Sequence, residues 1–394
     1  MPAPTNYNRS SSSLSKQGSV AWLPWIHMIF WFFGAIILCY NLYETYEPSG
    51  FSLDSLSMSS FRKLTSSISK KTKSKKSKTI ISTPVLPSPS PDPKKRLAII
   101  ALCREQDAEE MALSIISFDN AYNNLHGYDY IIFSETEWSS KGQSIIRQIT
   151  NSTVHFPILT KEEWNTPNWI DRQKFQGILK GKQFYGNSES YRRMCRFFAG
   201  PVFLTKALEP YTWAWRMDSH VRYLCDIVED PIDRLERING TYGYALRMTE
   251  LMYTVPTLWD TVKQYATEQN LWPHLERHWN LKSDSRMPRV CHYWNNLEAT
   301  KLEFFRGPIY QNYFKAIDQS GGFFYERWGD APIRTFALML LSTPNHIIQY
   351  DDIGYQHPWW YKCPATCPGR KECTPDPLIQ PQQTTDGKMC RIGE

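Results

Sequence analysis

Hydrophobic positions along this chain fall into three regimes. Ala21 to Tyr40 is one run without formal charge, rich in Trp, Phe and Ile. It has the length, about twenty residues, that a helix needs to cross a bilayer. Trp22, Trp25 and Tyr40 sit near its ends, where interfacial aromatics sit. Arg9 and Lys16 precede the run with no acid among them, and Glu44 and Glu47 follow it. That asymmetry predicts a cytosolic tail over residues 1–20, a signal anchor over 21–41 and a lumenal remainder. A cleaved signal peptide is the rival reading; the length of the run and the lack of a small-residue cleavage site favour the anchor. Residues 42–93 carry Ser, Lys and Pro in place of a hydrophobic period. They predict an extended lumenal stem.

Periodic order begins at Lys94. Arg96–Leu102 reads as a buried strand, and Asp107–Tyr122 has helical spacing at Met111, Ile115, Ile116 and Phe118. Tyr128–Phe133 reads as a second strand. Strand, helix, strand predicts the opening of a parallel, nucleotide-handling α/β sheet. Arg104 lies just past the first strand, where such sheets bind ligands. Tyr211–Val221 is strand-like, which would put Arg216, Asp218 and His220 on one face. A carboxylate and an imidazole so placed can share a divalent cation. Thr254–Trp259 and Arg334–Leu341 read as scaffold. The folded part is expected over 94–364, with a Cys/Pro-rich tail over 365–394.

Composition refines this picture. The tails leave roughly 300 residues, enough for one large or two small domains. The net charge of +6 is concentrated in Lys63, Lys70, Lys71, Lys73, Lys75, Lys76 and Lys78. The remainder is nearly balanced, so nucleic acid is not an expected partner. Of nine cysteines, Cys39 lies in the anchor. The other eight are an even number that suits disulfides in an oxidising lumen. Cys363, Cys367 and Cys373 read as disulfide staples in preference to metal ligands. Asn151 and Asn239 head glycosylation sequons, whereas Pro167 disqualifies Asn165.

Candidate chemistry is concentrated between Cys291 and Pro358. The segments Cys291–Glu298, Gly321–Pro332 and Asp352–Pro358 mix carboxylates, imidazoles and large rings with glycines. The mixture suits a cleft in which rings stack on a flat or sugar-like ligand. Gly321 and Gly322 would let that ligand approach closely.

Together with Tyr191–Phe197, Trp215-Arg216, Cys225-Asp226 and Thr257–Trp259, these segments resemble the fungal Ktr family of Golgi α-1,2-mannosyltransferases, glycosyltransferase family 15. The resemblance runs from about Lys94 to about Pro364. It implies an α/β fold of the GT-A type with a Rossmann-like nucleotide-binding sheet, behind a single transmembrane helix. It also implies GDP-mannose as donor, Mn2+ as cofactor, retention at the anomeric carbon and mannose-containing glycans of glycoproteins as acceptors. Localisation would be the Golgi membrane, single-pass type II, with the catalytic domain lumenal. His357 matches the family's metal ligand, and His220 is a further candidate. Glu298 matches the proposed nucleophile, able to attack or to support an oxocarbenium-like transition state. Arg104, Arg216 and Glu250 fall on the donor side. Tyr191, Trp294, Asp218 and Asp330 fall on the acceptor side, and Tyr191, Asp218 and Asp330 join Glu298 as catalytic candidates. Two departures stand out: Asp218-Ser219-His220 where the family carries Glu-Pro-Asp, and Arg334 where histidine is common. Transfer of mannose 1-phosphate from the same donor is an alternative. A catalytically silent partner of other glycosyltransferases is another, and the presence of Glu298, Asp330 and His357 together argues against it.

Overall fold

The computed structural model describes residues 96–181, 186–283, 291–357, 360–369 and 373. The predicted anchor, the stem and most of the tail lie outside the described residues. Among the described residues, no helix is long and apolar enough to cross a membrane.

Six consecutive apolar residues, Leu97–Leu102, form β1, the strand around which the sheet is built. Such a run can be covered on both faces, as parallel strands require. Helix α1 (Ala108–Phe118) returns the chain to β2 (Asp129–Phe133), which lies parallel to β1 with Ile99 opposite Tyr130. The strand–helix–strand opening read from the sequence is therefore present. Outside β2 lies β3 (Val154–His155), and on the other side of β1 lies β4 (Trp213–Met217), both parallel to their neighbours. After β5 (Arg222–Tyr223) the chain makes β6 (Tyr242–Thr249) and β7 (Cys291–Lys301). The eleven-residue β7 inserts antiparallel between β4 and β6, and β8 (Ile347–Gln349) closes the edge. The order is β3-β2-β1-β4-β7-β6-β8. A small second sheet joins β5 to β9 (Tyr355–His357) and β10 (Trp360–Lys362).

Three helices pack the core: α2 (Glu189–Ala199), α3 (Pro308–Gln319) and α4 (Asp330–Leu341). α4 lies against β7. It begins at Asp330, so the stretch from Arg334 read as plain scaffold belongs to a helix whose first turns serve the site.

The glycine–aromatic stretch is core, and its expected stacking role is corrected. Phe323, Phe324 and Trp328 are buried in the main apolar cluster. Gly321 has φ 79°, and a Cβ added to Gly322 would stand 2.2 Å from the Trp328 ring. These glycines admit protein rings, not a ligand. Arg192 braces the same turn by donating to the carbonyls of Phe323, Phe324 and Glu326. Arg196 forms a buried pair with Asp318 at 2.9 Å.

Cys225 pairs with Cys367 and Cys363 with Cys373, and Cys291 is also disulfide-bonded. The tail is thus stapled to the turn after β5. The expectation that all eight lumenal cysteines pair is corrected: Cys103 and Cys195 are buried free thiols, shut into the fold. Asn151 and Asn239 are exposed, as sequons must be to accept a glycan.

Candidate active site

β4 and β7 run antiparallel with Arg216 directly opposite Glu298, so the two side chains share a face. α4 covers that face with Asp330 and Arg334, one helical turn apart. Arg216 Nη1 donates to Asp330 Oδ2 at 2.5 Å, while its Nε and Nη2 donate to Asp218 at 2.8 and 3.2 Å. Asn295 Nδ2 also donates to Asp330 Oδ2, at 2.6 Å. The Arg216 guanidinium carbon lies 3.7 Å from the centre of the Phe198 ring. With only 4% of Arg216 exposed, its donors are committed to carboxylates inside the protein. Arg216 therefore orients Asp218 and Asp330 before any ligand binds.

Glu298 accepts a hydrogen bond from Tyr242 Oη at 2.8 Å and makes an ion pair with Arg334 Nε at 3.2 Å. It is 2% exposed. Burial pushes its carboxyl up from the usual range, and Arg334, Arg216 and the Tyr242 hydroxyl pull it back.

A second polar cluster adjoins the first. Arg327 Nη1 donates to Tyr191 Oη at 3.1 Å, and its Nη2 lies 3.7 Å from Glu250. Glu250 stands 3.6 Å from His292 Nδ1. Burial lowers the His292 imidazole, and the carboxylates of Glu250 and Asp330 oppose that shift. Tyr191 is the residue of its arginine-rich helix that joins this cluster; Arg192 and Arg196 hold the fold.

On the far side, the ring of Trp294 meets that of His357 edge-on at 5.1 Å. β9 carries His357 alongside β5, with Arg222 opposite Gln356. Burial lowers the His357 imidazole; Asp218 opposes the shift, and Arg216 and His220 add to it. His357 thus offers a neutral nitrogen near a carboxylate, a donor set suited to a first-row divalent cation.

The single-face arrangement of Arg216, Asp218 and His220 is corrected. The strand ends at Met217, Asp218 stays on Arg216 through its ion pair, and His220 sits in a turn with φ 63° and an exposed ring. Arg104 is exposed past β1 and pairs with Asp107 at 3.0 Å. The structure brings Asp218, Arg216, Asp330 and Glu298 into one network. Tyr191 and Glu250 sit beside it, His357 and Trp294 flank it, and Arg104 stays apart. Sequence reading missed Asn295, His292 and Arg327 as members. Their signal was their place within the two motif segments already singled out.

The sequence pattern of the glycolipid 2-α-mannosyltransferases matches residues 55–387. The chain belongs to that family. It is 31% identical over 290 residues to O-glycoside α-1,2-mannosyltransferase homolog 2 of Schizosaccharomyces pombe, covering 71% of this chain and 76% of that one. It is 34% identical over 277 residues to the probable mannosyltransferase KTR3 of Saccharomyces cerevisiae, covering 69% of each. Among solved structures it is similar to core-mannan synthase A (CmsA/Ktr4) of Aspergillus fumigatus in its Mn/GDP form. That match has TM-score 0.68 and 29% identity, over 74% of this chain and 82% of that one. The mannosyltransferase Ktr4p of S. cerevisiae in complex with GDP matches with TM-score 0.66 and 27% identity, over 83% and 87%. The mixed α/β glycosyltransferase fold is shared with both. In this mannosyltransferase family member, the Arg216 network lies where β4, the last parallel strand, meets the antiparallel β7.

Proposed function

We propose that the protein is a Golgi type II membrane α-1,2-mannosyltransferase, moving mannose from GDP-mannose with retention onto mannose residues of N- or O-linked glycans of glycoproteins. Residues 21–41 would anchor it and 42–93 would hold the catalytic domain off the membrane. The observation that carries the reading is the preset Asp218–Arg216–Asp330 network flanked by His357 and Trp294, in a chain of this family.

Breaking the bond between mannose C1 and the diphosphate oxygen leaves GDP with added negative charge. Mn2+, when bound, supplies a Lewis acid for that charge. His357 would hold it, with His220 in the neighbouring turn as a second candidate nitrogen. Asp218, at the rim, is fixed by Arg216 and can accept hydrogen bonds from an acceptor hydroxyl. Trp294 offers an apolar ring against which a sugar can lie. Tyr191 contributes a hydroxyl pinned by Arg327. The enclosed Glu298 supports positive charge on the transferred sugar electrostatically, without attacking it.

The test is to incubate the purified full-length protein with GDP-mannose, Mn2+ and a short α-mannoside, and to identify the nucleotide and the product. GDP and a neutral, elongated saccharide with a new α-1,2 bond is the expected result. GMP with a phosphorylated saccharide would move the assignment to mannosylphosphate transfer. Neither nucleotide, from folded protein offered several acceptors, would leave the silent partner.

A further inference from the structure

Arg334 has no role in the reaction described so far, yet it sits at one corner of a buried square of charge. Arg216 and Glu298 oppose each other on the strands, and Asp330 and Arg334 stand over them on the helix. Signs alternate around the square. Arg334 is 0% exposed. Its Nη2 donates to the Phe198 carbonyl at 2.6 Å, and its guanidinium carbon lies 4.7 and 5.0 Å from the ring centres of Phe203 and Phe305. Aromatic walls and a carbonyl thus hold the cation in one place, with Nε 3.2 Å from Glu298.

We propose that Arg334 is a positioning residue for sugar transfer, keeping the enclosed Glu298 carboxylate charged and fixed in orientation. This rests on the reading that Glu298 supports positive charge on the transferred sugar. A carboxyl removed from water prefers its neutral form unless a cation stays beside it. Arginine is the one side chain that cannot give up its proton to prevent this. The other groups facing Glu298 do not substitute. Arg216 on β4 is already neutralised by Asp218 and Asp330. Asp330 on α4 repels the carboxylate, Tyr242 on β6 gives one hydrogen bond, and Tyr310 on α3 gives none. Without Arg334, Glu298 becomes a neutral acid, which cannot stabilise a cationic sugar.

The experiment uses full-length protein carrying Arg334→Met, with kcat measured against pH and GDP binding measured by calorimetry in Mn2+. The acid limb of kcat is expected to move up by on the order of one to three pH units. GDP affinity should stay within about twofold, and Arg334→Lys should move the limb the same way by less, because a buried lysine keeps a cation there only while it holds its proton. Infrared difference spectra should show a protonated carboxyl band in Arg334→Met that vanishes when Glu298→Gln is added. Should Arg334→Met fail to fold, Tyr242→Phe removes one hydrogen bond from the same carboxylate and should shift the limb the same way by less. An Arg334→Met enzyme with an unmoved pH profile, or without the infrared band, overturns the proposal. Full activity in Glu298→Gln would instead overturn the role given to Glu298, and the infrared band would still decide what Arg334 does.

Discussion

Replacing Asp330 by alanine tests whether the charge network is held as its geometry requires. The carboxylate is 6% exposed and accepts from Arg216 Nη1 at 2.5 Å and Asn295 Nδ2 at 2.6 Å through the same oxygen. Asp330→Ala leaves a buried guanidinium short of one counter-ion and a buried amide short of its acceptor. Breaking a buried pair costs about 3–5 kcal/mol, because the surviving charge is left uncompensated. Arg216 keeps Asp218 on two of its nitrogens, which sets the loss at the lower end, about 3 kcal/mol. The orphaned Asn295 amide adds about 1 kcal/mol. At about 2 °C per kcal/mol for a domain of this size, the sum is a fall in Tm of roughly 8 °C. Thermal unfolding followed by calorimetry, with urea titration for the free energy, reads both numbers. Asp330→Ala with Arg216→Met removes both charges and should recover about 2 kcal/mol relative to additivity, since the buried cation is gone. Transfer activity should be lost in every one of these variants. A fall in Tm under about 2 °C, or strict additivity of the pair, would show that Arg216 and Asp330 do not depend on one another.

Asp218→Ala should raise the acceptor KM by about tenfold or more, the loss of a charge-assisted hydrogen bond, and should also lower Tm, because two donors of the buried Arg216 lose their acceptor. If acceptor KM and turnover both stay at their original values, Asp218 does not touch the acceptor. Gly322→Ala forces a methyl against the Trp328 ring and should cost about 1–3 kcal/mol in urea unfolding, a larger loss than an exposed helical glycine would give. Cys103 and Cys195 should react with a thiol reagent at pH 8 only after denaturation. Both are buried, and burial pushes the Cys103 thiol up to about 12 and the Cys195 thiol higher still. Rapid labelling of the native protein would contradict that enclosure.

The parallel half of the fold was legible because its signal is local. Leu97–Leu102 is apolar at every position, the α1 spacing is helical, and β2 repeats the apolar run, so periodicity alone orders three elements. The antiparallel half was not legible in the same way. β7 is covered on both faces although it carries His292, Asn295, Asn296 and Glu298, so no alternation marks it as a strand. The partners that make those groups tolerable, Asp330 and Arg334, come from a helix about thirty residues further on. Sequence distance hides such pairings. The same blindness made the Gly321–Trp328 rings look like a ligand platform, because only packing shows that Trp328 fills the space beside Gly322. It also left His220 on a strand that ends three residues earlier. The site residues that could be named in advance were the ones whose motifs are contiguous, and their roles became distinguishable only through cross-strand register.

That register explains why one strand can feed the whole network. From Trp294 to Glu298, β7 advances four residues while its partner β6 advances only two, from Leu246 to Tyr244. In a regular strand, residues three apart point to opposite faces, so Asn295 and Glu298 could not both reach α4. The irregularity between them removes that constraint, and Asn295 meets Asp330 while Glu298 meets Arg334. Bulges of this kind re-aim side chains next to active sites. Here the consequence is specific. Deleting two residues, Asn296 and Leu297, would equalise the two strands, leave Asn295 and Glu298 adjacent and on opposite faces, and so separate either Asn295 from Asp330 or Glu298 from Arg334. The charge square is therefore set by the strand's irregular stretch as much as by the four charged residues. A sequence that kept those four residues but straightened β7 would lose either the Asn295–Asp330 contact or the Glu298–Arg334 pair.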